Sequence, residues 1–428
     1  MFEIKITAAD ASRRLDKYLL AYFSKAPRSL IHKLLRKKRI KLNGKRAIGG
    51  ELLLDGDTIG LYLSQETIAG LRDSELEHSD IGLNVFDTGT SAHSALDAKG
   101  RLGYYSILHS LAEIVFEDEH FLIINKPAGM PSHGGMRSDE NLKKGHGSTG
   151  SINSIGHYRK RGEGEDNHTH LLELVLGYLR QTGAWPPGST FTPALCNRLD
   201  VNTSGLVVCG KNYQAIRAAN TLFATPGLVE KEYLAVVDGA LYGSATLDGQ
   251  YSKDAKANTA YIKDEPGGIR AVTKYTSLAV YAGEAVFKAD TIPNTDAVSK
   301  AGSVSTANVA PASNIRTLLS VYPITGRSHQ IRAHLASIGH PLSGDKKYGG
   351  KPISQRSKIP FIQMFSGNNL FNENTMLNEN NNKNSSPYNN PNSTHYPGQL
   401  LHCCRISFPA ADGLPYPEGI TWETPAKI

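Results

Sequence analysis

The chain has 428 residues, of which 39% are hydrophobic and 20% charged, with a formal net charge of +7. That length favours two or more domains, and that composition excludes a wholly disordered chain. No run approaches the roughly 18 apolar residues of a membrane span, and the first residues lack the apolar centre of a signal peptide, so a soluble cytoplasmic protein is expected.

Charge is concentrated at the amino end. Residues 1–50 hold fourteen Lys or Arg against Glu3, Asp10 and Asp16, which leaves the rest of the chain slightly acidic. A basic end on a near-neutral body suits a polyanionic partner, most simply nucleic acid. Within it, Leu15, Tyr18, Leu19, Tyr22 and Phe23 form one apolar helix stripe. After Pro27, Leu30, Ile31, Leu34 and Leu35 form a second, opposite a cationic face of Arg28, His32, Lys33, Arg36 and Lys37 that runs on into Lys38 and Arg39. Ile40-Lys41-Leu42 then leads into Asn43-Gly44, a type I′ hairpin signal, and Ile59, Leu61 and Leu63 alternate as a strand after the Asp55-Gly56-Asp57 turn. A cationic helix face is ordinarily just solvated, but it also lies well along phosphates.

The order RRLDKYL, APRSLIHKLLRKKRIKLNGKR, LLDGDTIGLYL resembles the αL RNA-binding module known from small-subunit ribosomal proteins. The resemblance implies an RNA-binding unit over residues 13–64, with Arg13, Arg28, Ser29, Lys33, Arg36, Lys37, Lys38 and Asn43 as its contacts. Residues 65–107 are polar and weakly periodic, which predicts a linker to a main domain over 108–428.

Three stretches of that domain, near 133–168, 283–314 and 366–398, look like inserted loops. In the last, ten of the 21 residues from Asn372 to Asn392 are Asn, a composition that cannot bury enough apolar surface to order itself. His133, His146, His157, His168 and His170 match no structural zinc spacing, and Cys196, Cys209, Cys403 and Cys404 contain no CxxC, so no metal site is expected.

Four segments of the main domain stand where chemistry can be built. Strand-like runs around 114–124 end at Asn125-Lys126-Pro127-Ala128-Gly129. The polar stretch Asn197-Arg198-Leu199-Asp200-Val201-Asn202-Thr203-Ser204-Gly205 precedes a buried strand, and an extended backbone there puts Arg198 and Asp200 on one side and Leu199 on the other. Spacing alone leaves these two as a structural pair or a catalytic one. Glu230–Val237 reads as a strand bearing Tyr233, by itself a core tyrosine. The fourth segment, 325–339, predicts a helix with Ile331, Leu335 and Ile338 on its buried face, Thr325 or Ser328 as its cap and Gly339 as its stop. Arg327 falls just before it, and HQIRAH is not the HExxH of a zinc enzyme.

Together, NKPAGMPSH, NRLDVNTSG, KEYLAVV and TGRSHQIRAHLASIGHPLSGDKKYGG, with AVTKYT at 271–276 and LHCCRISFP near the end, resemble the ordered motifs of RluA-type pseudouridine synthases. The resemblance covers about 110–350 and 400–425. It implies an α+β protein: the small αL module plus a catalytic domain on a mixed, mainly antiparallel β-sheet with flanking helices.

It further implies that Asp200 starts cleavage of the uridine C1′–N1 bond, that Arg327 pairs with Asp200, and that Tyr233 stacks on the base. Ile331 would wall the pocket, while Arg198, Arg332 and Lys126 would touch substrate. The partner would be RNA, most simply large-subunit ribosomal RNA, with the protein a monomer and no cofactor or metal needed. Transfer RNA as substrate, an RNA-binding protein with a relict synthase domain, and a hydrolase activating water with Asp200 are the competing readings. The chain departs from the family at Asn197, usually His, and at Val201, often basic, which bears on how substrate fits that loop.

Overall fold

The computed structural model describes residues 2–72, 104–134, 170–186, 189–254, 257–263, 267–282, 285–288, 315–353, 398–412 and 414–424. The chain forms two compact units, one from residues 1–106 and 133–190, the other from 107–132 and 191–428.

In the first unit, β1 (Phe2–Lys5), α1 (Leu15–Tyr22), α2 (Arg28–Arg36), β2 (Ile40–Leu42), β3 (Lys45–Arg46), β4 (Thr58–Leu61) and α3 (Gln65–Leu71) follow in order. The strands make an antiparallel sheet ordered β1-β4-β2-β3. Both helical stripes are buried with it: Leu15, Leu19, Phe23, Ile31, Leu35, Ile40, Ile59 and Leu61 share one apolar cluster. Each such side chain contributes about 1.5–3 kcal/mol by leaving water. Asp16, buried beside them, takes Arg14 Nε and Nη2 at 3.1 and 3.0 Å, which compensates its charge.

Asn43 and Gly44 both have positive φ, 49° and 72°, as a type I′ turn requires. The sheet begins earlier than residue 13, because β1 pairs with β4 from Phe2 onward. The expected linker also starts later than residue 65. Ser64 caps α3 by accepting from Thr67 N–H, and Ile68 joins the cluster. The unit also contains α5 (Leu171–Gln181), whose first turn is capped by His170 Nδ1 accepting from Glu173 N–H. A helix α4 (Tyr104–Leu111) precedes it and straddles the boundary between the units.

The second unit holds a 12-stranded sheet. Its strands are β5 (Glu113–Glu117), β6 (Phe121–Lys126), β7 (Ala194–Leu195), β8 (Ser204–Gly210), β9 (Glu230–Asp238), β10 (Ser244–Asp254), β11 (Thr259–Lys263), β12 (Ile269–Ala282), β13 (Ala285–Lys288), β14 (Ile315–Pro323), β15 (Leu401–Phe408) and β16 (Ile420–Glu423). The order is β11-β10-β12-β14-β9-β15-β8-β6-β5, with β13 on β12, β16 on β15 and β7 on β8. The β15–β8 pair is parallel and every other described pair is antiparallel, the mixed, mainly antiparallel sheet expected. Two helices accompany it, α6 (Tyr213–Ala224), capped by the Asn212 side chain, and α7 (Gln330–Ser337).

The parallel pair dictates one glycine. Gly205 has φ 115° and faces Cys403, whose backbone any Cβ at Gly205 would strike, so the glycine that follows the Asp200 loop is a packing requirement. The expected loops 133–168, 283–314 and 366–398 fall largely outside the described residues, as do His146, His157 and His168, although Ala285–Lys288 form β13. The four cysteines are free thiols.

Candidate active site

Asp200 stands at the end of a loop that is tied down on both sides. Gly129 N–H and Lys126 Nζ both donate to the carbonyl of Val201, at 2.8 and 3.1 Å, and Thr203 N–H donates to that of Asp200. On the upstream side, Ser132 Oγ donates to Leu199 O and accepts from Leu199 N–H. Leu199 is buried, Arg198 exposed and Asp200 partly exposed, the alternation expected of an extended segment.

Asn197 bridges to β8, donating to Leu206 O and accepting from Val208 N–H at 2.8 Å. Its departure from the family pattern is thus taken up by backbone of the sheet. Val201 is 45% exposed, so a basic residue would have fitted there without rearrangement.

Lys126, expected against substrate, has another place. It is fully buried, and its Nζ donates to the carbonyls of Pro127, Met130 and Val201 at 2.9, 2.8 and 3.1 Å. A side chain with no exposed surface and three protein acceptors cannot touch RNA; it fastens the end of β6 to the Asp200 loop. Burial brings its ammonium down to about 7, against the upward pull of Asp200.

The cation on Asp200 is Arg332 rather than Arg327. Arg332 Nη1 lies 3.0 Å from Asp200 Oδ2, while its Nε and Nη2 hold Asp345 in a fork at 2.7 and 2.9 Å. The physical reason is placement. Arg332 is the third residue of α7 and is buried, whereas Arg327 lies three residues ahead of the helix, is exposed, and makes no ion pair among the described residues. Arg332 was expected on substrate; its guanidinium instead bridges two carboxylates. Arg327 still acts at a distance, since it opposes burial and Asp200 in their raising of the Tyr251 hydroxyl.

A second set of groups approaches the same carboxylate. Tyr348 sits with its ring 4.8 Å from the Arg332 guanidinium carbon. Its hydroxyl accepts from Ala260 N–H at 2.8 Å and lies 3.0 Å from His329 Nδ1, and His329 Nε2 is 3.8 Å from Asp200 Oδ2. Asp345 and Tyr348 lie beyond the helix segment 325–339, in the motif that continues to Gly350, and His329 stands in HQIRAH. Nothing in spacing separates them from helix-flanking polar residues.

The helix itself starts differently from expectation. His329 is its N-cap, with φ 58° and ψ 17° and no side-chain cap; Thr325 Oγ1 and Arg327 N–H both donate to Gln330 Oε1 instead. Gly339 ends it as expected: Gly339 N–H and His340 N–H donate to Ala336 and Leu335, a Schellman closure with Gly339 at φ 81°. Ile331 and Leu335 are buried, but Ile338 is the closing residue and is 37% exposed.

Tyr233 is half-buried on β9, between Val321 of β14 and Cys403 of β15, and packs on the apolar cluster that contains Ile331. Burial raises its hydroxyl well above the ordinary range, and Asp200 pushes the same way. The arrangement is therefore a fixed, partly exposed carboxylate with a buried cation behind it and an aromatic within electrostatic range.

Of the amino-terminal residues expected to contact RNA, Arg28, Ser29, Lys33, Arg36, Lys37 and Lys38 are exposed. Arg13 and Asn43 are engaged internally instead. Arg13 Nη1 binds Asp10 and Thr190 at 3.0 and 3.1 Å, and the Asn43 amide closes its hairpin on Asp57 and Thr58, each at 2.8 Å. Among the described residues no cluster of His, Cys, Asp or Glu is arranged to hold a metal, and no helix is long and apolar enough to cross a membrane.

Residues 120–337 match the family model for RNA pseudouridylate synthase. The chain is 27% identical over 352 residues to the ribosomal large subunit pseudouridine synthase C of Rickettsia bellii (strain RML369-C), covering 82% of this chain and 87% of that protein. It is likewise 27% identical over 365 residues to the protein of the same name from Pasteurella multocida (strain Pm70), covering 85% and 82%. Among solved structures, human RNA pseudouridylate synthase domain containing 1 superposes with a TM-score of 0.41 at 19% identity, over 74% of this chain and 83% of that one.

Proposed function

Because this chain belongs to the RNA pseudouridylate synthase family and is an isomerase of uridine in RNA, we propose that Asp200 is its nucleophilic carboxylate and large-subunit ribosomal RNA its substrate. One observation carries the assignment of Asp200. It is a partly exposed carboxylate whose Oδ2 is held by a buried arginine that is itself forked onto Asp345, while Oδ1 has no hydrogen-bond partner among the described residues. A charge-compensated carboxylate in a fixed pose is what attack on a sugar carbon needs.

The target uridine leaves its stack to reach Asp200. The C1′–N1 bond breaks, the uracil turns, and C5 bonds to C1′; the C5 proton leaves and N1 gains one, so mass is unchanged. Tyr233 stacks on the base, Ile331 supports that wall, and exposed Arg198 and Arg327 meet the flipped strand. The amino-terminal unit is an αL-type module whose α2 face follows phosphates, which fits the exposure of Arg28, Lys33 and Arg36. The ribosomal target rests on the names of the relatives.

The test is complementation of a strain lacking the protein with wild type or Asp200→Asn, followed by mapping of pseudouridine in total RNA. Large-subunit sites that return with wild type and stay absent with Asp200→Asn support both assignments. Return of the sites with Asp200→Asn overturns the nucleophile, and return at transfer RNA sites alone overturns the target.

A further inference from the structure

His329 occupies a backbone conformation that L-residues avoid, and the helix it precedes gains no cap from its side chain. Glycine or asparagine would sit there at lower cost. A histidine held left-handed at about 1–3 kcal/mol of local strain points to a use for its ring.

The hydrogen-bond polarity around that ring is determined from the backbone outward. Ala260 N–H can only donate, so at 2.8 Å it occupies a lone pair of the Tyr348 oxygen. The Tyr348 proton then needs an acceptor, and His329 Nδ1 is 3.0 Å away. With Nδ1 accepting, the neutral ring carries its proton on Nε2, the nitrogen 3.8 Å from Asp200 Oδ2. Burial together with Arg332, Lys347 and Lys253 favours the neutral ring, while Asp200 opposes them. The donor thus faces the same oxygen that Arg332 holds, short of bonding distance by about 0.6–0.9 Å.

We propose that His329 is a second positioning residue for the Asp200 carboxylate: its Nε2–H, set by Tyr348, closes onto Oδ2 when RNA fills the site and turns Oδ1 toward the ribose. This rests on the reading of Asp200 as nucleophile. Arg332 holds Oδ2 by one hydrogen bond; a second donor on the same oxygen narrows the rotation left to the carboxylate without touching the attacking atom.

Single-turnover pseudouridine formation tests it, with the full-length protein and large-subunit ribosomal RNA from a strain lacking it, alongside RNA affinity and thermal stability. His329→Asn tolerates the left-handed backbone but places its amide short of Asp200. His329→Gln carries an N–H near the Nε2 position. The expected result for His329→Asn is a rate lower by about 10- to 100-fold, the worth of a hydrogen bond to a charged group, with affinity unchanged and no fall in melting temperature. His329→Gln should recover most of that loss, and Tyr348→Phe, which frees the tautomer, should lose about 3- to 10-fold. A wild-type rate in His329→Asn, or His329→Gln no better than His329→Asn, overturns the proposal. Asp200→Asn runs beside them: activity there sinks the nucleophile itself, whereas an inactive Asp200→Asn with a fully active His329→Asn sinks only the role of His329.

Discussion

On α2, Arg28, Lys33 and Arg36 are exposed and make no ion pair or side-chain hydrogen bond among the described residues, whereas the cations packed behind Asp200, Arg332 and Lys126, are each bound to several acceptors. Arg332 bridges two carboxylates, Lys126 holds three carbonyls, and even His329 is engaged through Tyr348. The contrast matches what the two proposed roles require. Phosphate binding by counterion release needs charge near the polyanion and tolerates mobile side chains. Bond cleavage at one carbon needs one oxygen in one place, and an error of an ångström is costly.

The sharpest way to break that contrast is Arg332→Lys. An ammonium cannot bridge Asp200 and buried Asp345 together, so one of the two carboxylates loses its partner. Pseudouridine formation should fall by about 100-fold or more, with a stability loss of about 3 kcal/mol seen in denaturant titration. An active, stable Arg332→Lys would show that the pairing is incidental.

Lys126→Met comes next. It removes three buried hydrogen bonds and unfastens the Asp200 loop, so the expected loss is about 2–3 kcal/mol of unfolding free energy, with activity falling in the molecules that remain folded.

The α2 face should respond in the opposite manner. Replacing Arg28, Lys33 and Arg36 together by Gln should weaken RNA binding by about tenfold and reduce the slope of affinity against salt by about 2–3, with the single-turnover rate at saturating RNA unchanged. A fall in that rate would mean that these residues also order the catalytic step.

The smallest effect is expected at Lys38, which sits left-handed at φ 58° where the Schellman closure of α2 favours glycine. Lys38→Gly should stabilise the protein by about 1 kcal/mol while costing a few-fold in RNA affinity. Loss of stability would show that the lysine side chain packs usefully there.

Lys38 and His329 show where the amino-acid pattern stops being informative. Both residues occupy positions where local preference argues for Gly or Asn, and neither can be recognised as left-handed from its neighbours. Elsewhere the pattern served well. The period of Leu15, Leu19, Ile31 and Leu35 gave two helices, Asn43-Gly44 gave the hairpin, and Gly339 gave the end of α7. These features are written within a few residues, where backbone geometry and apolar spacing act directly.

By itself, the sequence determined α1, α2 and their hairpin, the start of α7's buried face, the mixed sheet expected of the family motifs, the basic amino end, and Asp200 as the carboxylate ahead of a buried strand. Only the tertiary structure decided which groups face that carboxylate. Arg327 and Arg332 are five positions apart, so a helix that begins at Gln330 brings one against Asp200 and leaves the other exposed. Lys126 reads as a cation available to RNA until β6 and the Asp200 loop close around it. Contacts between residues more than a hundred positions apart, such as Asp200 with Arg332, depend on strand order and on the directions in which side chains leave their elements, and spacing along the chain contains neither.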